Sequence, residues 1–158
     1  MVLARVVTLL ACAVVTQQAE PRVQASLVRI FGPGVAGTHV RADSADVLRV
    51  TRGDSLLGFA QVREVLGKEQ PITFLVAIDL ANRLKDVDIL VYREPYGGEV
   101  AYESWRRQFR GRGADAPLVP GRDIRSISGA TISVNAVTAG IRRTLRDLVQ
   151  WHETGVLR

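Results

Sequence analysis

"PITFLVAIDL", Pro71 to Leu80, is a strongly apolar run rich in β-branched residues. Such a stretch favours a strand in the middle of a sheet, and it decides the fold class. Its flanks repeat the pattern outward. "GKEQ" ahead of it is a turn, and "LLGFAQVREV", residues 56–65, is a strand before that turn. "RGDS" turns the chain once more, and "DVLRVT", residues 46–51, alternates apolar and polar as a half-buried strand does. Downstream, "ANRLKD" turns the chain and "VDILVYRE", residues 87–94, returns as a fourth strand. Connections this short suit an antiparallel meander. Parallel pairing would need a crossover helix between strands.

Beyond the strands the texture changes. "SLVRIF", residues 26–31, reads as a short helix stopped by Gly32-Pro33-Gly34. "PYGGEV" after Glu94 is a loop. "AYESWRRQFR" sets Tyr102, Trp105 and Phe109 on one helical face, and "GRGADAPLVPGRD" is a long loop. A final helix runs from about Thr131 or Ser133 to Trp151, with Val134, Val137, Ile141, Leu145 and Leu148 as its apolar stripe. The expectation is an α+β domain over residues 26–158: an antiparallel sheet of about four strands, helices packed on it, and a long C-terminal helix.

The first residues read differently. "MVLARVVTLLACAVV" carries one cation, Arg5, followed by an apolar run from Val6 to Val15 interrupted only by Thr8. A bilayer-spanning helix needs about 20 apolar residues, so this run fits a secretory signal better than a span. "VQA" at Val23–Ala25 supplies a cleavage site, which makes residues 1–25 a signal peptide or N-terminal anchor and Ser26 the mature start. "LLAC" offers a second option, a lipoprotein-type cut before Cys12. Removing residues 1–25 takes away Arg5, Arg22 and Glu20 and lowers the net charge from +5 to +4.

Composition narrows the chemistry. With 47% hydrophobic residues, the 158-residue chain is globular and long enough to bury a core. A single cysteine, Cys12, excludes a disulfide framework and a cysteine metal site. His39 and His152 are far apart in sequence and lack the carboxylate spacing of a zinc site. The cations are nineteen arginines and two lysines, spread along the chain except for Arg106, Arg107, Arg110 and Arg112. No recognition helix, zinc finger or aromatic–basic sheet motif accompanies them, so nucleic acid is not the expected partner. The cluster reads as a solvated face or as one that meets an anionic ligand or partner.

Small hydroxyl residues gather in "DIRSISGATISVNAV", residues 123–137, just ahead of the last helix. Two readings stand. In the first, Thr131 or Ser133 caps the helix, a contribution of about 1 kcal/mol. In the second, something is attached there: the bare Gly129-Ala130 pair leaves the Thr131 hydroxyl open, and a helix start favours an anion such as phosphate. A catalytic serine is disfavoured, because no base lies in a recognisable motif and no G-x-S-x-G elbow is present.

The pattern Asp123-x-x-Ser126-x-Ser128-Gly129-Ala130-Thr131-x-Ser133 resembles the flavinylation motif of the FMN-binding domain family, which includes the flavin subunits of Rnf-type and sodium-pumping electron-transfer complexes. In that family a flavin transferase uses FAD and magnesium to join FMN to the motif threonine through a phosphoester. The resemblance therefore implies covalent FMN at Thr131, with Ser128, Gly129, Ala130 and Ser133 shaping the phosphate pocket. Asp123 is then part of the transferase recognition motif or a turn-stabilising residue. Glu94, Tyr96, Gly97 and Gly98 are implied to line the flavin ring, Gly97-Gly98 having a plain turn as the alternative. Trp105 and Phe109 favour core packing over flavin stacking. Leu57, Gly58 and Phe59 approach the ring or simply pack in their strand. "EPYGG" departs from the Glu-Thr-Pro-Gly form of the complex subunits, so the chain resembles a small stand-alone relative.

The function so implied is an exported, periplasmic or membrane-associated electron carrier without a small substrate of its own. Its partners would be a flavin transferase and redox proteins or membrane complexes. The alternatives are an exported module of the same fold that holds no flavin, and a flavin reductase with its own substrate.

Overall fold

A computed structural model of the chain describes residues 19–158. The apolar run Val6–Val15, Arg5 and Cys12 lie outside the described residues.

Five strands, β1 (Val35–Ala42), β2 (Ala45–Arg52), β3 (Ser55–Leu66), β4 (Pro71–Asp79) and β5 (Leu84–Val91), form one sheet in the order β1-β2-β3-β4-β5. Every neighbouring pair is antiparallel. The turns are as short as a meander requires. The turn after β4 is tightened by the Asp79 carboxylate, which accepts the amides of Ala81 and Arg83 at 2.9 and 3.0 Å.

Helix α1 (Pro21–Phe31) covers one face of the sheet. The other face is covered by the C-terminal helix, Thr131–Glu153. Between β5 and that helix lie a single-turn helix α2 (Glu103–Arg106), flanked by 3-10 turns, and a long loop; the C-terminal helix is therefore α3. Strand β4 explains why the run Pro71–Leu80 is continuous rather than alternating. Ile72, Phe74, Val76 and Ile78 face the core under α3, while Leu75 and Ala77 face the smaller core under α1. Both faces are dry, so both sets of side chains are apolar.

The structure departs from the expected elements at β1, β5 and α1, and also around α2, where only Glu103–Arg106 is α-helical and Tyr102, 62% exposed, lies off the buried face of Trp105 and Phe109. Strand β1 is a fifth strand, unannounced because Gly34 and Gly37 interrupt the pattern and Thr38, His39 and Val40 are only half buried. Strand β5 begins at Leu84 instead of residue 87, because the Asp79 turn brings the chain back sooner. Helix α1 starts at Pro21, five residues ahead of the expected start, with proline in the first turn where no amide partner is needed. The expected cut after Ala25 thus falls inside α1. Among the described residues no helix is long and apolar enough to cross a membrane.

Candidate functional site

Three segments distant in sequence meet at one end of the sheet. The turn after β3 brings Lys68, the end of β5 brings Glu94, Pro95 and Tyr96, and the start of α3 brings Gly129 to Ser133. They enclose a cleft of about 250 Å³.

The start of α3 is built by a turn. The Ala130 amide donates to Ile127 O at 3.1 Å, and Gly129, in the third position of that turn, has φ of +77°. A left-handed third residue calls for glycine. Ala130 is then the N-cap residue, and no side chain caps the helix. The expectation that Thr131 or Ser133 caps it is therefore not met. Thr131 is already the first helical residue, with its side chain exposed. The amides of Thr131, Ile132 and Ser133 have no acceptor among the described residues. Uncapped amides and the positive end of a 23-residue helix thus meet in the cleft wall.

Ser133 has a different role from Thr131. It is 3% exposed, and its hydroxyl donates to Glu94 Oε1 at 3.4 Å while accepting the Lys68 amide at 3.3 Å. Glu94 Oε1 also accepts the amides of Glu69 at 2.8 Å and Gln70 at 3.2 Å. One carboxylate therefore ties together all three segments of the cleft. The Glu69 amide above all, helped by those of Gln70 and Lys68 and by Ser133, holds this carboxyl below the ordinary glutamate range against the smaller opposing effect of burial.

The loop after Glu94 is fixed from beneath. Tyr92 Oη donates to Tyr96 O, and burial pushes the Tyr92 phenol up, so it keeps its proton. Gly97 has φ of +88°, and a Cβ there would come within 2.5 Å of the Ala130 methyl and 2.6 Å of Tyr92 Oη. Gly97 is therefore more than a plain turn residue: its bare backbone lets the loop rest against Ala130. Tyr96 and Ile132 stand at the mouth of the cleft, 71% and 57% exposed.

The remaining residues singled out from sequence lie around this site or away from it. Gly98 has open space around it, and Ser128 is exposed one residue before the lining stretch. Asp123 accepts the amides of Val119 at 2.5 Å and Leu118 at 3.0 Å. It stabilises the turn in which Leu118 takes φ of +46°, and these amides, Val119 first, hold its carboxyl below the ordinary range. Trp105 and Phe109 are core residues, 2% and 0% exposed, with ring centroids 5.0 Å apart. Leu57, Gly58 and Phe59 sit at the far end of β3 from Lys68, roughly 30 Å along the strand, and pack in the two cores. His152 is likewise roughly 30 Å from Thr131 along α3, bonded to Asn82 and tilted on Phe59. No histidine base therefore serves the hydroxyl cluster from that helix.

Lys68 escapes the sequence reading, in which "GKEQ" is a plain turn. The only available signal is that one of just two lysines stands in it.

A cradle of free amides, a lysine and an open hydroxyl, continued by an exposed aromatic and an isoleucine, fits a phosphate joined to a flat apolar ring system. Comparison with known proteins agrees with that chemistry. The chain is similar to one component of the proton-translocating ferredoxin:NAD(+) oxidoreductase complex of Clostridium ljungdahlii, with 27% identity over 104 residues. The matched region is 61% of this chain and 56% of that component, so the chain spans little more than half the length of this relative. The family model described as the FMN-binding domain matches residues 67–146, from the turn that carries Lys68 through the cleft and most of α3. Half of the chain is covered, every segment of the cleft is included, and the chain belongs to the FMN-binding domain family.

Proposed function

We propose that the protein is an exported flavoprotein electron carrier in which FMN is esterified through its phosphate to Thr131. The observation that carries this reading is the exposed Thr131 hydroxyl at an uncapped helix start, facing the same cleft as Lys68, Glu94 and Tyr96. FMN supplies reversible electron transfer, which the side chains of this chain do not offer.

Attachment needs a donor. A flavin transferase would present FAD to Thr131, whose oxygen forms the new phosphoester with the FMN phosphorus. The bond between the two phosphates breaks, AMP leaves and the hydroxyl proton goes to solvent. The first-turn amides and the helix dipole stabilise the resulting phosphodiester charge. Lys68, whose Nζ lies 3.9 Å from Glu69 Oε1, adds a positive charge to the cleft lining, and Tyr96 and Ile132 offer apolar contact to the ring at the mouth. An accessible mouth suits exchange of electrons with a redox protein or a membrane complex. It does not hold a small substrate in register.

The test is co-expression with a flavin transferase. The expected product is a yellow band that survives denaturing electrophoresis and fluoresces under ultraviolet light. Thr131→Ala should abolish the fluorescence while the protein stays folded, because Thr131 makes no capping bond. Thr131→Ser should retain attachment, since the oxygen is the bonding atom. Covalent flavin on the Thr131→Ala protein would assign the linkage to a neighbouring hydroxyl. A colourless wild-type protein beside an active transferase would favour the flavin-free binding module.

A further inference from the structure

A second cleft, of about 420 Å³, opens at the other end of β5 from Glu94. Its walls are Arg29 and Ile30 of α1, Lys85 and Asp86 of β5, and Glu103, Arg106 and Arg110 of the segment around α2. Four cations and two carboxylates therefore line it, and Asp88 pairs with Arg29 and Arg106 beside them.

Asp86 is the centre of the cluster. It is 4% exposed, and Oδ2 meets Arg110 Nη2 at 2.9 Å, Arg29 Nη1 at 3.0 Å and Arg106 Nη1 at 3.8 Å. Asp88 and backbone carbonyls share the load: Arg29 Nη2 lies 3.3 Å from Asp88 Oδ2, and Arg106 donates to Ala101 O at 2.9 Å and Val87 O at 2.8 Å. Arg106 is 7% exposed, and burial first, then repulsion from Arg29, lowers its pKa. The three arginines are thus matched by three carboxylates, Asp86, Asp88 and Glu103, and the surplus positive charge of the cleft is Lys85. Among the described residues its Nζ has no carboxylate within ion-pair distance, and it lies 5.4 Å over the Phe31 ring. Glu103, exposed at the rim, rests its Oε1 on Arg110 Nη2 at 3.0 Å. A carboxylate thus already occupies the solvent side of the Arg110 guanidinium.

We infer that this cleft is a second binding site, for a small dianionic oxyanion that displaces the Glu103 carboxylate from Arg110 and bridges Arg110, Arg106 and Lys85. Guanidinium forks match the paired oxygens of a carboxylate or phosphate, and the lysine adds a point charge. The ligand is held by β5 and the segment around α2 together, so its binding stabilises the packing of that segment on the sheet. The site shares no lining residue with the Thr131 cleft and does not depend on flavin.

The experiment is calorimetric titration and thermal unfolding of the full chain, with inorganic phosphate in one arm and succinate in the other, against sodium chloride at matched ionic strength. Saturable binding of either anion, with a raised unfolding temperature, is expected; the two arms tell phosphate from dicarboxylate chemistry. Removing the competing carboxylate with Glu103→Gln should tighten binding several-fold. Lys85→Met, at an exposed position, should weaken it at least tenfold without changing the unfolding temperature of the ligand-free protein. Responses equal to those in sodium chloride, or identical affinities in wild type, Glu103→Gln and Lys85→Met, would overturn the assignment and leave the cluster as a purely structural ion network.

Discussion

At the scale of single residues, the cleft depends on Glu94 more than on any hydroxyl. Its carboxylate holds the turn at Glu69 and Gln70 and, through Ser133, the first turn of α3. The direction of its pKa shift fixes how this contributes to stability. The folded carboxyl titrates below the unfolded one, so its contribution is full above the unfolded glutamate value, about 4.3, and is lost as pH falls through the folded value. Glu94→Gln should therefore lower the unfolding temperature near pH 6, and the gap to wild type should narrow as the pH approaches about 3. A gap that is constant with pH would mean that the charge is not what holds the turn. The same variant should reduce flavin attachment, because the Ser133 hydroxyl contact that positions the first turn of α3 is weakened. Sequence alone points to Glu94, but to the ring rather than to the brace. The acceptor role of a carboxylate becomes visible only once the turn of residues 67–70 lies beside it.

At the scale of elements, legibility follows burial. Strands β2, β3 and β4 and helix α3 are readable because one or both of their faces are dry, and a dry face imprints its period on the sequence. Strand β1, at the sheet edge, has little such imprint. The segment Gly98–Phe109 is readable as an apolar face but not as a regular helix. It is two 3-10 turns around one α-turn, and Trp105, Val100 and Phe109 anchor it to the core. Trp105 also donates Nε1–H to Arg125 O at 2.8 Å, which ties this segment to the loop leading into the Thr131 motif. Trp105→Leu should thus cost roughly 2–4 kcal/mol of stability, near the lower part of the range for truncating large buried aromatics. It should leave the absorption of attached flavin unchanged, since the indole lies in the core. Thermal unfolding and a visible spectrum of the flavin-loaded protein check both statements. A spectral shift at unchanged unfolding temperature would place the indole against the ring after all.

At the scale of the whole molecule, the sheet has two covered faces, and the second cover decides where processing can occur. Helix α1 supplies Val23, Leu27 and Phe31 to a core that includes Val35, Leu48, Val50, Ala60, Leu75 and Ala77. Gln24 clamps it to the edge strand, donating to Val35 O at 2.6 Å and accepting the Gly37 amide at 3.2 Å. Ala19 extends that contact, its amide donating to Gly37 O at 3.0 Å. A chain that began at Ser26 would lose Val23 from the core, about 1.5–3 kcal/mol. It would also lose both Gln24 bonds, at about 1 kcal/mol each. The six residues left of α1 are too few to hold a helix without those anchors. Against the roughly 5–15 kcal/mol typical of a whole domain, this is a large fraction. If the protein is exported and trimmed, the mature chain is therefore expected to begin at or before Ala19, ahead of the Ser26 start that the small residues of "VQA" suggest. Mass analysis of protein from its native host checks the start directly, and a chain beginning at Ser26 would refute the expectation. A truncation series separates the physical argument from the biology of processing. A chain starting at Ala19 should unfold cooperatively close to the temperature of the full chain, whereas one starting at Ser26 should melt well below it. If the two melt together, α1 contributes too little to constrain where a peptidase cuts.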